Sequence, residues 1–362
     1  MTDSSELLTT VLKNVSRAFY LSMRVLPNGV RQPISIAYLL ARAADTIADT
    51  PQIEVPLRLQ RLQFLRDLVA ELSPQAAQLG SQAVTWSEGA TAGEVKLLQV
   101  LPQALLLASQ LPPEDRRDVQ SVVDTLISGM VLDLSQFPGR FTEMAQLDNY
   151  TYLVAGCVGE FWSAIIARHC RALSKWDLPQ WPAVGVRFGK ALQLTNILRD
   201  LVKDLDNGRS YIPGLVREGW TEQIPESGGY YAGALNNLNR NQVGDILGQW
   251  LNTALDHYQA AIAYTLSLPW HCWLLRLAVI WPIAIGLATL SKLSLEKGWL
   301  EKGKRVKVPR SWVYRMLIFS LPVAFCTPAL SSWLNSWLER ARRGAQAVRQ
   351  RSWEDFGPAE LK

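Results

Sequence analysis

Two pairs of aspartates, each spaced four residues apart, restrict this chain more than any other feature of its sequence. The pairs are Asp45/Asp49 and Asp200/Asp204. In an α-helix this spacing puts both carboxylates of a pair on one face, about one turn apart. Each pair lies in an otherwise apolar stretch, where an unpaired carboxylate is costly to bury. The sequence therefore predicts two helices that each carry an acidic face.

The spacing of the two pairs along the chain indicates a shared role. They lie about 150 residues apart, and each is followed by a loop pattern. Facing carboxylates repel each other unless cations lie between them, and Mg²⁺ shared with substrate phosphates is the usual solution. We therefore predict all four aspartates as Mg²⁺ ligands. The alternative for each helix taken alone is a solvated polar stripe on the protein surface.

Further polar residues lie in register with both pairs. Tyr38 and Arg42 precede the first pair, and Gln193 and Asn196 precede the second, all at steps of three or four residues. Four polar side chains on one face of an apolar helix are less easily explained by solvent exposure than two.

The remaining patterns are helical. No strand-length run alternates apolar and polar residues, so the fold class is predicted as all-α with ten or more helices. Residues 33–50 are predicted as one helix and residues 73–93 as a loop. The length of 362 residues would allow two domains. No shift in composition marks a boundary, so we predict one domain over residues 1–362.

Composition narrows the class of protein. The net charge of +5 suits an anionic partner, which is a nucleic acid, an anionic lipid or an anionic substrate. The four cysteines form no C-x-x-C motif, and no signal peptide is recognisable, which together favour a cytoplasmic location. Neither zinc-ligand spacing nor a nucleotide-binding glycine motif is present.

The C-terminal region is apolar and then basic. Residues 292–315 contain eight cations and two acids, and residues 317–338 contain no charge. Two prolines and several polar residues interrupt the apolar stretch, so we predict a buried or membrane-contacting helix pair rather than a bilayer span. The basic flanks make peripheral contact with an anionic membrane the expected form of association.

Two glycines, Gly156 and Gly159, lie inside a predicted helix over residues 148–168. Each costs about 1 kcal/mol of helix propensity. They indicate either close helix packing or a backbone cleared to admit a long ligand. A glycine-rich loop over residues 214–232 is either a cover for a site or ordinary surface.

Four ordered blocks between residues 16 and 213 resemble the squalene/phytoene synthase family, and within it the squalene-forming branch. They are Ser16-Arg17-Ala18-Phe19-Tyr20, the segment from Ala37 to Asp49, the Tyr-Thr-Tyr-Leu-Val-Ala-Gly segment that begins at Tyr150, and the segment from Gln193 to Pro213. The resemblance implies an all-α isoprenoid-synthase fold with a central cavity between helices. It also implies head-to-head condensation of two farnesyl diphosphates, followed by reduction with NADPH, and it implies no nucleic-acid partner.

The resemblance assigns roles to individual residues. Tyr150, Tyr38, Arg42 and Arg199 are implied as catalytic, and Ser16, Arg17, Phe19, Gln193, Asn196 and Arg209 as substrate-binding. Arginine suits this role because its planar guanidinium binds phosphate oxygens through two hydrogen bonds. The four aspartates are implied as the ligands of Mg²⁺.

Three departures leave alternatives open. Ala48 and Lys203 replace acids that many family members carry, and the apolar segment before Pro282 lacks a Phe-Cys pair found in many squalene-forming members. The runner-up activity is therefore a phytoene-type or dehydrosqualene-type synthase without the reduction. A non-catalytic helical protein of the membrane surface is the third alternative.

Overall fold

The structure is a computed structural model that describes residues 19–50, 52–86, 91–173, 180–222 and 229–356. The predicted site residues Ser16 and Arg17 lie outside these ranges. The described residues are overwhelmingly helical and include one pair of two-residue strands. The predicted all-α fold class is therefore confirmed.

The helices follow one another with short connections. Their bounds are α1 Phe19–Arg24, α2 Asn28–Ala48, α3 Val55–Glu71, α4 Pro74–Leu79, α5 Ala92–Ser109, α6 Pro113–Gln136, α7 Met144–Thr151, α8 Cys157–His169, α9 Gln180–Asp206, α10 Gly229–Asn236, α11 Val243–Ser267, α12 Trp273–Leu293, α13 Arg310–Val323 and α14 Thr327–Arg349. A π-helical segment, Tyr152–Gly156, joins α7 to α8. The strands β1 Gly139–Arg140 and β2 Arg209–Ser210 pair in parallel, with Gly139 opposite Arg209.

The chain divides into two compact units, each built from two segments. Unit 1 comprises Met1–Ser135 and Cys157–Ala183, and unit 2 comprises Gln136–Gly156 and Val184–Lys362. The single prenyl-transferring domain over residues 1–362 stays a prediction.

Unit 1 is organised around α2, which packs mainly against α5 and also contacts α3 and α8. Thirteen of its 21 residues are buried. A helix buried to this extent has only a narrow polar face, so α2 is a core helix of unit 1 whose polar residues lie on one side.

Two boundaries in unit 1 differ from prediction. The helix α2 begins at Asn28 rather than Pro33, because the N–H groups of Val30 and Arg31 already bond to the Pro27 carbonyl. The predicted loop 73–93 contains α4, whose first turn is capped by the Ser73 hydroxyl accepting from the Ala76 N–H. The Ser73 cap favours a helix here, although the proline and glycines of the segment indicate a loop.

Unit 2 contains the most apolar helix of the fold, α12, which packs against α11 and α14. Helix α14 is amphipathic and buries Leu330, Leu334 and Leu338. The predicted helix pair over 317–338 corresponds to α13 and α14. Both helices extend beyond the predicted range.

Two helical stretches of the described residues are long and apolar enough to cross a membrane. They are Met144–His169 and Trp270–Leu293. Of the most apolar 18 residues, 50% are buried within the fold in the first stretch and 78% in the second. Burial of this kind is also found in the core helices of globular proteins, and neither stretch overlaps residues 317–338.

Candidate active site

The first acidic pair lies at the C-terminal end of α2. Asp49 caps the helix, and its N–H donates to the Asp45 carbonyl at 2.9 Å, so the two residues are one turn apart. The guanidinium of Arg42 pairs with the Asp45 carboxylate and reaches Glu94 at 3.3 Å. The Asp45 side chain is 37% exposed. It is therefore accessible to a hydrated cation.

Glu94 is a member of this cluster that the sequence reasoning missed. It is the third residue of α5 and forms a capping box with Thr91, whose N–H donates to the Glu94 carboxylate at 2.9 Å. Burial raises the pKa of this carboxyl, but the Thr91 hydrogen bonds and the charge of Arg42 outweigh it, so the pKa lies below its usual value. The Thr-x-x-Glu pattern ahead of an apolar run is the signal that could have identified it.

The second acidic pair lies near the C-terminal end of α9. The Arg199 Nε donates to the Asp200 carboxylate at 3.1 Å, and this hydrogen bond is the main reason that the pKa of Arg199 is raised. The side-chain Nδ2 of Asn196 donates to the side-chain Oε1 of Gln193 on the preceding turn, at 3.5 Å. The polar face predicted for this helix is therefore present, although its outer turn at Asn196 is exposed.

The opposite side of α9 is fixed by buried contacts within unit 2. The Thr195 hydroxyl lies 2.9 Å from the Tyr258 hydroxyl, and the Trp299 indole N–H donates to the Leu198 carbonyl at 3.1 Å. Complete burial raises the pKa of Tyr258, which keeps the phenol neutral. These contacts fix the orientation of α9 about its own axis, and therefore the direction in which its polar face points.

Tyr150 lies in a cluster of four aromatic rings in unit 2. Its ring stacks on Tyr211 with centroids 4.9 Å apart, and its hydroxyl is 3.4 Å from the Tyr211 hydroxyl. Phe141 packs edge-on against both tyrosines, and Phe137 packs edge-on against Tyr211. Tyr150 is only 7% exposed. Of these four residues only Tyr150 is predicted from the sequence, because no periodic pattern marks Phe137 and Phe141 as its neighbours.

The chain departs from regular α-helix directly after Tyr150. The π-helical segment Tyr152–Gly156 brings the Ala155 carbonyl against α9, where a Cβ on Gly189 would lie 2.1 Å from that oxygen. A Cβ on Gly156 would lie 3.1 Å from Val186. At Gly156 the structure therefore favours close helix packing over a passage for a ligand. π-Helical turns are frequent at functional sites.

The other predicted site residues are placed as follows. Tyr38 is half-buried on α2, one helical turn before Arg42, and Arg209 is half-buried in β2. Phe19 begins α1, but its side chain is outside the described part of the chain.

The donor set suits a magnesium ion. Among the described residues, no three His, Cys, Asp or Glu side chains form a group that could hold a metal by themselves. Mg²⁺ usually keeps several waters and binds one or two carboxylates together with substrate phosphates. Each aspartate pair supplies two carboxylate groups, so the residues present fit such an ion.

The comparisons with solved structures define the fold. The chain resembles a squalene synthase, TcSQS in complex with the ligand E5700, with a TM-score of 0.68 and 21% identity over 95% of this chain and 98% of that one. It also resembles a dehydrosqualene synthase in complex with a ligand, with a TM-score of 0.56 and 18% identity over 91% and 96% of the two chains. The architecture is therefore the all-α isoprenoid-synthase fold.

The sequence comparison identifies the family. The profile described as Squalene/phytoene synthase matches residues 12–312, so the chain belongs to the squalene/phytoene synthase family. The confirmed family agrees with the resemblance found in the sequence motifs.

Relatives of both product types are similar to the chain. A bifunctional lycopene cyclase/phytoene synthase of Phycomyces blakesleeanus is 28% identical over 68% of this chain and 38% of its own length. The 15-cis-phytoene synthase of Synechocystis sp. is 28% identical over 61% of this chain and 59% of its own length. A squalene synthase of Saccharomyces cerevisiae is 27% identical over 60% of this chain and 46% of its own length. The matched part of the chain thus spans less than two thirds of each of these relatives.

Proposed function

We propose that this protein is a Mg²⁺-dependent head-to-head prenyltransferase that forms squalene. One farnesyl diphosphate condenses with a second to give presqualene diphosphate, one diphosphate and a proton. Loss of the second diphosphate and transfer of hydride from NADPH then give squalene and NADP⁺. The observation that carries the proposal is the pairing of an arginine with one aspartate of each acidic pair, Arg42 with Asp45 and Arg199 with Asp200.

Each pairing puts a phosphate-binding cation beside a metal-binding carboxylate. We assign Asp45 and Asp49, and likewise Asp200 and Asp204, to Mg²⁺, which when bound neutralises the charge of a departing diphosphate. The arginine of each helix is then released from its carboxylate and binds phosphate oxygens through two N–H groups. Arg17 and Arg209, together with Ser16, Phe19, Gln193 and Asn196, are assigned to substrate binding on the family resemblance.

Tyr150 is assigned to the proton-transfer step, with Tyr38 as a second catalytic candidate. The Tyr150 phenol lies among aromatic rings, next to the Tyr211 hydroxyl. Such surroundings keep water from a carbocation and position the phenol oxygen for proton transfer. Aromatic faces also stabilise nearby positive charge.

The choice of squalene and the use of NADPH rest on the motif Asp45-Thr46-Ile47-Ala48-Asp49, which resembles the squalene-forming branch. A phytoene or dehydrosqualene synthase without the reduction is the second candidate, because phytoene synthases are as similar to this chain as squalene synthases are. We further propose a cytoplasmic location with peripheral association at an anionic membrane.

Product analysis tests the proposal. Purified protein is incubated with farnesyl diphosphate and Mg²⁺, with and without NADPH, and the hydrocarbon is identified by gas chromatography and mass spectrometry. We expect squalene only when NADPH is present, and accumulation of presqualene diphosphate or an unreduced product when it is absent.

Other products would select the other candidates. Dehydrosqualene formed regardless of NADPH, or phytoene from geranylgeranyl diphosphate, would replace the squalene assignment. Absence of turnover with both diphosphates in a folded, Mg²⁺-loaded protein would support the non-catalytic alternative.

A further inference from the structure

Helix α13 presents a row of large apolar side chains to solvent. We call these residues the α13 face, and they are Tyr314 (63% exposed), Ile318 (69%), Phe319 (52%), Leu321 (45%) and Phe325 (46%), the last just beyond the helix. They make up five of the eleven exposed large hydrophobic side chains of the described residues. Isolated exposed apolar residues are ordinary, but a contiguous group of this kind marks an interaction surface.

The α13 face is held outward by buried polar contacts on the other side of the helix. The Trp281 indole N–H donates to the Ser320 hydroxyl at 2.9 Å. The buried guanidinium of Arg276 donates to the Ala324 carbonyl and to the Thr327 hydroxyl, both at 2.9 Å. Because these contacts fix the turn between α13 and α14, the helix cannot rotate to bury its apolar side without breaking them.

The apolar stretch predicted from sequence therefore divides into two parts with different roles. Leu330, Leu334 and Leu338 of α14 are buried within unit 2. The large apolar side chains that are exposed in this region all lie between positions 314 and 325.

Aromatic rings border the α13 face. Phe319 packs edge-on against Trp333 at 5.3 Å, and Phe325 lies 5.3 Å from Trp273. Trp270, which is 60% exposed, precedes α12. Tryptophan and tyrosine are enriched at membrane–water interfaces because their rings are apolar with one polar group.

The segment of the chain that carries the α13 face has only positive charges. No Asp or Glu occurs between Lys302 and Leu338 in the sequence. The exposed cations Arg305, Lys307, Arg310 and Arg315 have no acidic partner within 4.0 Å among the described residues. An anionic surface complements these four cations, since each lysine or arginine close to such a surface raises the binding constant about fivefold.

A small cleft of about 160 Å³ lies at the start of α13. Trp312, Trp337 and Leu295 form apolar walls, and Lys292 and Arg340 supply cations. This combination suits a lipid, which presents an acyl chain and an anionic headgroup together.

We propose that the α13 face docks unit 2 on the surface of an anionic lipid bilayer, with the apolar side chains inserted below the headgroups and the cations among them. A second copy of the chain fits less well, because a symmetric interface would place the same unpaired cations opposite one another. The proposal identifies the surface for the peripheral membrane association proposed above, and it does not depend on the prenyl-transfer reaction.

Vesicle flotation tests this proposal with the full chain and no substrate. Vesicles contain phosphatidylcholine alone or phosphatidylcholine with phosphatidylglycerol, each at low and at high salt. We expect binding to the anionic vesicles that weakens at high salt. The double variant Ile318→Asp/Phe325→Asp should lose at least about tenfold in binding, and Arg310→Gln/Arg315→Gln about 25-fold at low salt.

A matched control separates the α13 face from general hydrophobicity. Leu79→Asp/Met144→Asp changes two exposed apolar residues elsewhere and should bind as the wild type does. Circular dichroism and Tm verify that every variant folds. Equal binding to neutral vesicles, or equal loss in the control, would overturn the proposal. So would a dimer in sedimentation velocity that Ile318→Asp dissociates, because the α13 face would then join two copies.

Discussion

Arg42 and Arg199 each pair with an aspartate that we propose as a metal ligand. Asp45 and Asp200 are 37% and 41% exposed, and exposed ion pairs of this kind contribute only about 0–1 kcal/mol. Replacing such a pair with contacts to Mg²⁺ and diphosphate therefore costs little free energy. Both arginines are carried by helices, so under this proposal they exchange an aspartate for a phosphate by side-chain rotation.

The metal assignment predicts a sharp difference between two aspartates of α9. Asp200→Asn should lower kcat by about 100-fold or more, because a cation worth several kcal/mol to the departing diphosphate loses a charged ligand. Asp206→Asn, two residues after Asp204 and paired with Lys302 at 2.7 Å, is the matched control and should retain activity. Steady-state kinetics with a Mg²⁺ titration measures both, and full activity in Asp200→Asn would refute the assignment.

The aromatic cluster makes separate predictions for its two phenols. Tyr150→Phe keeps the stacked ring but removes the hydroxyl, and kcat should fall by about 100-fold with KM nearly unchanged. Tyr211→Phe removes the hydroxyl that lies 3.4 Å from the Tyr150 hydroxyl and keeps the Tyr150 phenol itself, so we expect a smaller fall in kcat. Kinetics of both variants at several pH values tests this order. A larger loss for Tyr211→Phe would assign the proton-transfer role to Tyr211 instead.

His257 on α11 predicts a pH dependence of stability. Burial, together with the charges of Arg187 and Lys190, lowers its pKa to about 4 from the ordinary value of 6.5. The folded protein keeps this imidazole neutral between pH 6.5 and 4, whereas the unfolded chain takes up a proton there, so acidification in this window favours unfolding.

The contribution of His257 can be isolated by substitution. His257→Gln should lose less stability than the wild type when urea denaturation is compared at pH 7 and pH 5. His271→Gln, at an exposed position, is the control and should follow the wild type. Identical pH profiles for the wild type and His257→Gln would contradict the interpretation.

At the scale of elements, α9 and the π-helical segment before α8 are packed backbone to backbone. Gly189→Ala would place a Cβ 2.1 Å from the Ala155 carbonyl, which neither backbone can relieve locally, so we expect a loss of about 1–3 kcal/mol in unfolding free energy. Gly93→Ala is the matched control, because no atom of the described residues lies within 4 Å of the added Cβ. That change on α5 should be neutral or slightly stabilising. Denaturant unfolding of both variants measures the difference, and equal stabilities would contradict the close packing.

The element boundaries show which local signals the sequence reasoning weighed incorrectly. Proline at position 33 predicts a helix start, yet Pro33 lies inside α2, where its missing N–H costs a single hydrogen bond near the N-terminus. Ser73 and Pro74 are predicted as loop, although a Ser-Pro pair is also a helix cap followed by a first-turn proline. Caps decide such cases only once a helix has something to pack against, and α4 has α5.

At the scale of the whole molecule, each compact unit carries one aspartate pair with its arginine. If both pairs bind Mg²⁺ and diphosphate, inorganic pyrophosphate with Mg²⁺ should stabilise the folded chain by about 2.7 kcal/mol at 100 times Kd. A rise of a few degrees in Tm is expected, and EDTA should abolish it. The variant Asp49→Asn/Asp200→Asn is the control. The same rise in that variant, or in EDTA, would show that the anion binds elsewhere.

The sequence by itself determined the fold class, the family and the helices that carry the acidic faces. Helical spacing fixes which side chains share a face, so the spacing alone places Asp45 with Asp49 and Asn196 with Gln193. The tertiary structure decided what depends on residues distant in the chain. It supplied Glu94 beside Arg42, Tyr211 and two phenylalanines beside Tyr150, and the packing of Ala155 against Gly189. It also decided which half of the apolar C-terminal stretch is buried, because hydrophobicity along a chain does not state which helix has a neighbour to pack against.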